Sequence, residues 1–398
     1  MDIKEQIDYL CTGTVEILPS KNALEEKLKL KRPLRIKLGI DPTSPDLHLG
    51  HTVCLQLLKR FQDLGHMPVL LIGGFTAQLG DPSGRNTTRP PLTLEQVEKN
   101  SQTYLEQVEK ILDVNKCEIV NNKDWLDKLT LKNIINILSF STVNQMISKE
   151  AFGTRLDSGF PLYLHELLYP VLQGYDSVEI KSDIEIGGQD QKFNVLAGRD
   201  LQKNFNQKAQ IIMLTPLLVG LDGNKKMSKT YNNFIGILEE PKNIYGKVMS
   251  LPDNLLIDWF SQVLSLSPEK LGEVKLQIQN KTSNPRDLKM SLAREIINLY
   301  YSKEEALLAE KDFILKYQKR EIPEDIKEFL INDDDFLVNI LSNSGMTASN
   351  AEAKRKLKEN AIKLNNLKIN ENLKGSDLKT GDILQLGKRK FIKIIKSY

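Results

Sequence analysis

The sequence predicts an α/β chain: a parallel sheet covered by helices in the first half, then a helical part, then a small α+β module. Three observations predict it. Short apolar runs flank an amphipathic segment between Leu34 and Phe75; residues from about Pro241 to Leu315 read as successive helices; and the tail turns basic, with short strands broken by glycine. Since domains usually hold roughly 100–200 residues, a chain of 398 residues implies two or three of them.

The first two strands are "LRIKLGI" (Leu34 to Ile40) and "PVLLIGGF" (Pro68 to Phe75), apolar runs ending at glycine or at a turn. Between them, "TVCLQLLKRFQDLG" sets Val53, Leu57, Leu58, Phe61 and Leu64 at helical spacing, with Gly65 where a helix would stop. Strand, helix and strand with short connections make a βαβ unit, which implies parallel pairing. "AQIIMLTPLLVGL" (Ala209 to Leu221) reads as a later strand running into an apolar loop, and "SLAREIINLYY" is the clearest amphipathic piece of the helical middle. "KREIPED" (Lys319 to Asp325) and "INDDD" (Ile331 to Asp335) are polar, and residues 326–335 read as a linker. In the tail, "NAEAKRKLKEN" is a basic helix, "AIKLNNLKI" a hairpin and "GDILQLGKRKFIKII" a pair of strands. The expected domains are therefore 1–232, 233–325 and 336–398.

With 40% apolar and 27% charged residues, the composition is that of a soluble globular protein, far from the disordered class. The net charge of +3 excludes little by itself, but from Lys354 onward Lys and Arg outnumber Asp and Glu by more than two to one. Cys11, Cys54 and Cys117 are too few and too dispersed for a disulfide framework or a zinc site, so a reducing compartment is expected. "MDIKEQIDYL" lacks the form of a signal peptide and no apolar run approaches the roughly 18 residues of a membrane span. A cytoplasmic protein without membrane attachment is the expectation.

The first βα turn carries the chemistry. In "DPTSPDLHLGH" (Asp41 to His51), two of the chain's four histidines stand three residues apart at the start of a helix. Ligands of open α/β sheets bind beyond the carboxyl ends of the strands, and a helix N-terminus offers unpaired N–H groups to a phosphate. Gly50 leaves room for a flat base or ribose, and His48 and His51 share a helix face. A metal reading needs a third ligand, and no nearby Cys or carboxylate cluster supplies one. Downstream, "GLDGNKKMSKT" crowds Lys225, Lys226 and Lys229 on a glycine-bearing loop, a second source of positive charge for a polyphosphate.

"HLGH" and "KMSKT", in this order and a domain's length apart, resemble the two signatures of class I aminoacyl-tRNA synthetases. With "GDPSGR", "YPVLQGYDS" and "GGQDQKFN", the chain resembles the bacterial-type tyrosyl-tRNA synthetases over essentially its whole length. The resemblance implies a Rossmann-like catalytic domain that joins an amino acid to ATP, giving an aminoacyl-adenylate and pyrophosphate. Magnesium is implied as arriving with ATP, and the sequence shows no dedicated protein cage for it. By the same carry-over Thr43 and His48 contact the β- and γ-phosphates, His51 the ribose region, and Lys226 and Lys229 the departing pyrophosphate. Gly39, Asp41, Gly50, Arg85, Met227 and Ser228 complete the implied ATP site.

A second pattern concerns the amino acid. Tyr169, Gln173 and Asp176, at i, i+4 and i+7, fall within about 60° of one another on a helix at about 100° per residue. A few polar groups converging in an apolar setting suit a small-ligand pocket, and Asp176 can accept a hydrogen bond from a phenol. The resemblance adds Asp81 beside Tyr169 and Gln173 as holders of the α-amino group, with Gln191 and Thr76 as further contacts. One departure stands out: where many relatives carry a tyrosine that touches the phenol, this chain has Lys37, which either turns away or brings a charge to the phenol or to Asp176.

The basic tail resembles a small RNA-binding module first named for a ribosomal protein, with Arg355, Lys356 and Lys358 meeting RNA phosphates. Resemblance further implies that the helical middle meets the anticodon side of a tyrosine-specific tRNA, and that the chain is a homodimer with "SFSTVNQMISKEAFG" (Ser139 to Gly153) at its interface. Two other readings are carried: a tryptophanyl relative sharing both signatures, and an RNA-binding descendant that no longer catalyses.

Overall fold

The computed structural model describes residues 1–81, 92–280, 282–315, 326–365, 367–387 and 390–396. The chain divides into two compact units, Met1–Phe313 and Ile314–Tyr398. "KREIPED" and Arg85 lie outside the described residues.

The first unit is organised by a six-stranded sheet: β1 (Glu16–Leu18), β2 (Arg35–Ile40), β3 (Met67–Ile72), β4 (Glu118–Asn121), β5 (Ile184–Gly188) and β6 (Ile211–Thr215), in the order β1-β6-β5-β2-β3-β4. All neighbours are parallel except β1, which runs antiparallel to β6. The expected βαβ unit is present: β2 pairs with β3 from Arg35↔Met67 to Ile40↔Ile72, joined by the Leu49–Asp63 helix. That helix buries Val53, Leu57, Leu58 and Phe61 and ends two residues before Gly65, whose φ is 83°. Central strands of a parallel sheet are covered on both faces, so they read as apolar runs. Ile36, Leu38, Val69, Leu70, Ile184, Ile186 and all of β6 are accordingly buried. The chain builds from β2 outward to β3 and β4, then returns to lay β5 on the other side of β2. This reversal makes β2 and β5 the topological switch point, where a crevice opens beyond the strand ends.

The helical middle comprises Pro241–Met249, Leu256–Gln262, Pro268–Gln279, Pro285–Tyr300 and Lys303–Phe313. Pro241 and Pro285 open their helices, where the missing N–H has no intrahelical acceptor. The amphipathic piece seen in the sequence buries Leu292, Ala293, Ile296 and Ile297. The expected boundary at 232/233 does not divide compact bodies. Leu49 N–H donates to Ile235 O at 3.0 Å and Ile237 N–H to Leu47 O at 3.1 Å, so residues just past the lysine loop are stitched to the histidine turn.

The second unit has a five-stranded sheet, β7 (Glu328–Ile331), β8 (Ile362–Leu364), β9 (Leu367–Ile369), β10 (Ile383–Leu386) and β11 (Lys390–Lys396), in the order β7-β11-β10-β8-β9. Helices Leu337–Asn343 and Asn350–Lys358 supply Leu337, Leu341 and Leu357 to a core shared with Ile362, Leu384 and Ile394. The hairpin, the strand pair and the basic helix stand where the sequence placed them. The linker reading of 326–335 is corrected. Glu328–Ile331 pairs in parallel with β11 and buries Ile331, while the acidic run after it folds into a turn in which Asp335 Oδ2 accepts from Asn332 N–H at 2.8 Å. Three apolar residues before the acidic run were the available signal, outweighed by the charge beside them. Among the described residues no helix is long and apolar enough to cross a membrane.

Candidate active site

The turn Asp41–His51 leaves β2 at the switch point and is braced from behind by the Leu94–Val108 helix. Asn100 Nδ2 donates to Pro42 O at 2.9 Å, Thr103 Oγ1 to Pro45 O at 2.7 Å, and Gln107 Oε1 accepts from Leu47 N–H at 2.6 Å. These three residues lie on one helix face, a pattern whose meaning depends on a turn 58–60 residues earlier. His48 caps the next helix: its Nδ1 accepts from Gly50 N–H at 3.2 Å, and His48 N–H in turn donates to His51 Nδ1 at 3.2 Å. With both Nδ1 atoms accepting, the proton of each neutral ring resides on Nε2. The rings stack with centroids 3.8 Å apart. Burial above all, then the neighbouring ring and the lysines Lys229 and Lys226, pushes His48 down to about 2; burial, then the same lysines, takes His51 to about 4. At neutral pH both histidines are thus uncharged donors.

The lysine loop folds back on itself. Met227 N–H donates to Leu218 O at 2.7 Å, and Asn233 ties the loop by accepting from Ser228 N–H at 2.8 Å and donating to Lys225 O and Lys226 O. Lys226 Nζ lies 2.6 Å from Asp190 Oδ2, and Lys229 Nζ lies 2.9 Å from Asp46 Oδ2. Lys226, Met227 and Ser228 line a cavity of about 600 Å³ together with Gly39, Thr43, His48, Gly50 and His51. Lys229, held on Asp46, does not line it. Asp190, which sequence reasoning passed over, lines the cavity as well.

The same cavity extends to the polar stripe of the Leu164–Ile180 helix, where Tyr169, Gln173 and Asp176 line it with Thr76, Asp81 and Gln191. Asp41, expected on the ATP side, joins the two ends: Tyr169 Oη donates to its Oδ2 at 2.8 Å and Thr76 Oγ1 to its Oδ1 at 2.8 Å. Asp176 receives Trp125 Nε1–H on Oδ1 at 2.9 Å and Asn122 Nδ2–H on Oδ2 at 3.2 Å. Its burial, opposed by the Lys37 charge, lifts the carboxyl to about 7. Gln191 Nε2 donates to Asp81 Oδ2 at 2.7 Å, and Gln173 Oε1 is buried without a partner among the described residues. Trp125 and Asn122 were missed because they stand about 50 residues from the carboxylate they hold.

Lys37 does not line the cavity, which corrects its expected place among the amino-acid contacts. Fully buried, its ammonium lies 2.9 Å from Glu185 Oε1, 3.0 Å from Gln173 O and 2.8 Å from Ser177 Oγ, behind the pocket wall. In the second unit Arg355 and Lys358 are exposed on the Asn350–Lys358 helix, and Lys356 pairs with Glu359 at 2.7 Å. Within Ser139–Gly153 the apolar side chains of Phe140, Val143 and Ile147 are exposed, Val143 to 64%, and Leu131 and Leu164 are exposed before and after that segment, to 74% and 80%. Among the described residues no group of three His, Cys, Asp or Glu side chains could hold a metal ion.

Comparison with known proteins places the chain in a family. The model of the family tRNA synthetases class I (W and Y) matches residues 29–318. The tyrosine–tRNA ligase of Haemophilus influenzae is 46% identical over 394 residues, covering 99% of this chain and 97% of its own. That of Francisella tularensis subsp. tularensis is 45% identical over 393 residues, covering 99% of each. Among solved structures, the tyrosyl-tRNA synthetase of Archaeoglobus fulgidus complexed with L-tyrosine superposes with a TM-score of 0.63 at 20% identity, covering 78% of this chain and all of its own. A C-terminally truncated mitochondrial tyrosyl-tRNA synthetase of Aspergillus nidulans gives 0.65 at 19% identity, covering 79% and 96%. Those two likenesses establish the fold alone. The family match over most of the first unit, with relatives of such identity along the whole chain, shows that this protein belongs to the tRNA synthetases class I (W and Y).

Proposed function

We propose that the chain is a tyrosine–tRNA ligase, activating L-tyrosine with ATP and then transferring the tyrosyl group to the 3′ end of its tRNA. The observation that carries this reading is a single cavity with the two histidines and Lys226 at one end and the Tyr169, Gln173 and Asp176 stripe at the other. In the first step an oxygen of the tyrosine carboxylate attacks the α-phosphorus of ATP; a P–O bond forms, the bond to the β-phosphate bridge breaks, and pyrophosphate leaves. The carboxyl group is already ionised at neutral pH, so no general base is needed. Catalysis is then positioning plus stabilisation of charge that builds on the phosphates. His48 and His51 donate from Nε2, Thr43 adds a hydroxyl, and Lys226 exchanges Asp190 for a phosphate oxygen, with Lys229 following from Asp46. In the second step the terminal ribose hydroxyl of the tRNA attacks the tyrosyl carbonyl and AMP leaves.

At the other end Asp176 accepts the phenol hydroxyl, and Asp81, Tyr169, Gln173 and Gln191 hold the ammonium and carboxylate. A pocket built to hydrogen-bond a hydroxyl rejects phenylalanine because its polar groups would be left unpaired. ATP enters as its magnesium complex. The second unit serves as an RNA-binding module through Arg355, Lys356 and Lys358, the helices after Pro241 face the anticodon side, and the apolar surface around Ser139–Gly153 is covered by a second copy in a homodimer. The activity belongs in the cytoplasm, where its nucleotide and tRNA substrates are. The test is ATP–pyrophosphate exchange with tyrosine, phenylalanine and tryptophan at equal concentration. Exchange with tyrosine alone supports the reading, exchange with tryptophan moves it to the sister specificity, and none in folded protein overturns it.

A further inference from the structure

Lys37 and Glu185 are direct cross-strand partners of β2 and β5, with side chains 0% and 2% exposed and their charges 2.9 Å apart. Removing two charges from water costs several kcal/mol per ion, so such a pair persists only when its remaining hydrogen-bonding capacity is met. Here it is met: Lys37 also donates to Gln173 O and Ser177 Oγ, while Glu185 Oε2 accepts from Ser177 Oγ at 3.0 Å and from Gln210 Nε2. The groups Lys37 holds stand three residues before and one residue after Asp176 on the same helix. Glu185 is also part of the cavity wall. None of the chemistry proposed above uses this pair.

We propose that Lys37, anchored by Glu185, Gln173 O and Ser177 Oγ at the wall of the amino-acid pocket, is the cation that favours the ionised form of Asp176, the form able to accept a hydrogen bond from a phenol, and that Glu185 limits this effect. This rests on the tyrosine reading and deepens it. Both Asp176 oxygens already receive donors, Trp125 Nε1–H and Asn122 Nδ2–H, so a proton on the carboxyl would compete with one of them and remove an acceptor site. The charged groups acting on Asp176 are Lys37 from β2 and Glu185 from β5, while Asp176 itself, with Asp41 and Asp81, acts on Tyr169 of its own helix. One cation thus faces two carboxylates, Asp176 and Glu185. Burial does most to lift the Asp176 carboxyl, Lys37 favours the ionised form and Glu185 opposes it, and together with the Trp125 and Asn122 hydrogen bonds these leave it at about 7.

The test measures KM for tyrosine by pyrophosphate exchange from pH 6 to 9 in the full chain. Removing a charge beside a buried carboxylate moves its titration by about one unit or more. Lys37→Met should therefore cut the ionised fraction at pH 7 from about half to about a tenth, raise KM about fivefold, and recover near pH 9 with kcat within about twofold. Glu185→Gln keeps an acceptor for Lys37 but drops the charge, so it should move the profile the other way and lower KM about fivefold at pH 6. A merely structural role gives losses of one sign that do not vary with pH, and that result overturns the inference. If Lys37→Met does not fold, the direction of the Glu185→Gln shift decides alone. Asp176→Asn separates the two layers. If it leaves KM for tyrosine unchanged, the phenol reading itself fails; if it raises KM and flattens the profile while the other variants give no opposed shifts, only the inference about Lys37 and Glu185 falls.

Discussion

Replacing Gly50 with alanine should separate activity from stability, because the space beside it belongs to His48. A Cβ at residue 50 would lie 3.0 Å from both Cε1 and Nδ1 of that ring and 3.5 Å from Met227 Cβ. Non-bonded heavy atoms prefer about 3.5–4.0 Å, so the ring has to retreat by roughly 0.5 Å. It has little room to do so: His51 is stacked on it at 3.8 Å, and the Gly50 N–H bond that orients Nδ1 is only 3.2 Å long. Since a misplacement of about 1 Å can cost on the order of 100-fold in rate, half that shift implies a loss near tenfold in kcat/KM for ATP. Stability follows a different balance. Alanine gains up to about 1 kcal/mol over glycine within a helix, against about 0.5–1.5 kcal/mol for a side chain pushed from its rotamer, so unfolding should shift by no more than about 1 kcal/mol. The assays are pyrophosphate exchange at saturating tyrosine with ATP varied, and urea unfolding. Exchange within twofold of the parent would refute the placement of His48 at the phosphates, and a loss of activity matched by several kcal/mol of destabilisation would make Gly50 a folding residue.

Three further outcomes are expected. His51 is held at about 4, below its value in an unfolded chain, so its share of stability is present above about pH 6.5 and lost as pH falls toward 4. His51→Asn should remove on the order of 3 kcal/mol of that acid sensitivity, read from urea unfolding at pH 4.5 and 7. A chain ending at Phe313 should retain adenylate formation and lose tRNA charging efficiency, whereas one ending at Asp335 should also aggregate more, because it keeps β7 without its partner β11. Ile135→Asp with Val143→Asp, at apolar positions 59% and 64% exposed, should leave a monomer by sedimentation; a dimer unchanged by both would remove this surface from the interface.

What could be read in advance divides by sequence distance. The histidine turn is local chemistry: cap, helix start and Gly50 lie within a few residues, and periodicity alone places the Leu49–Asp63 helix and the Tyr169, Gln173 and Asp176 stripe. The partners of these residues are another matter. Lys226 meets Asp190, Lys229 meets Asp46, and Asp176 meets Trp125 and Asn122 only because the sheet order lays β5 beside β2 and β4 at the far edge. No window of residues contains that order. The strand at Glu328–Ile331 escaped for a related reason, since its partner β11 lies more than sixty residues later and the acidic run beside it dominates the local composition.

Lys37 shows the limit most clearly. From its own strand, a lysine facing a pocket for a phenol leaves two options, to turn away or to bring a charge to the phenol or to Asp176. The structure takes a combination of them: the ammonium turns from the cavity to its cross-strand partner Glu185, yet remains close enough to act as the largest favourable charge on Asp176. A tyrosine at this position could add a hydroxyl to the substrate directly. A lysine there can help only through the carboxylate it influences, and only if a second carboxylate is supplied to make its own burial tolerable. The substitution at residue 37 is therefore intelligible only together with Glu185, Ser177 and Gln210, and exchanging Lys37 for tyrosine alone should destabilise the fold by stranding Glu185 without a cation, a loss that Glu185→Gln in the same chain should partly restore.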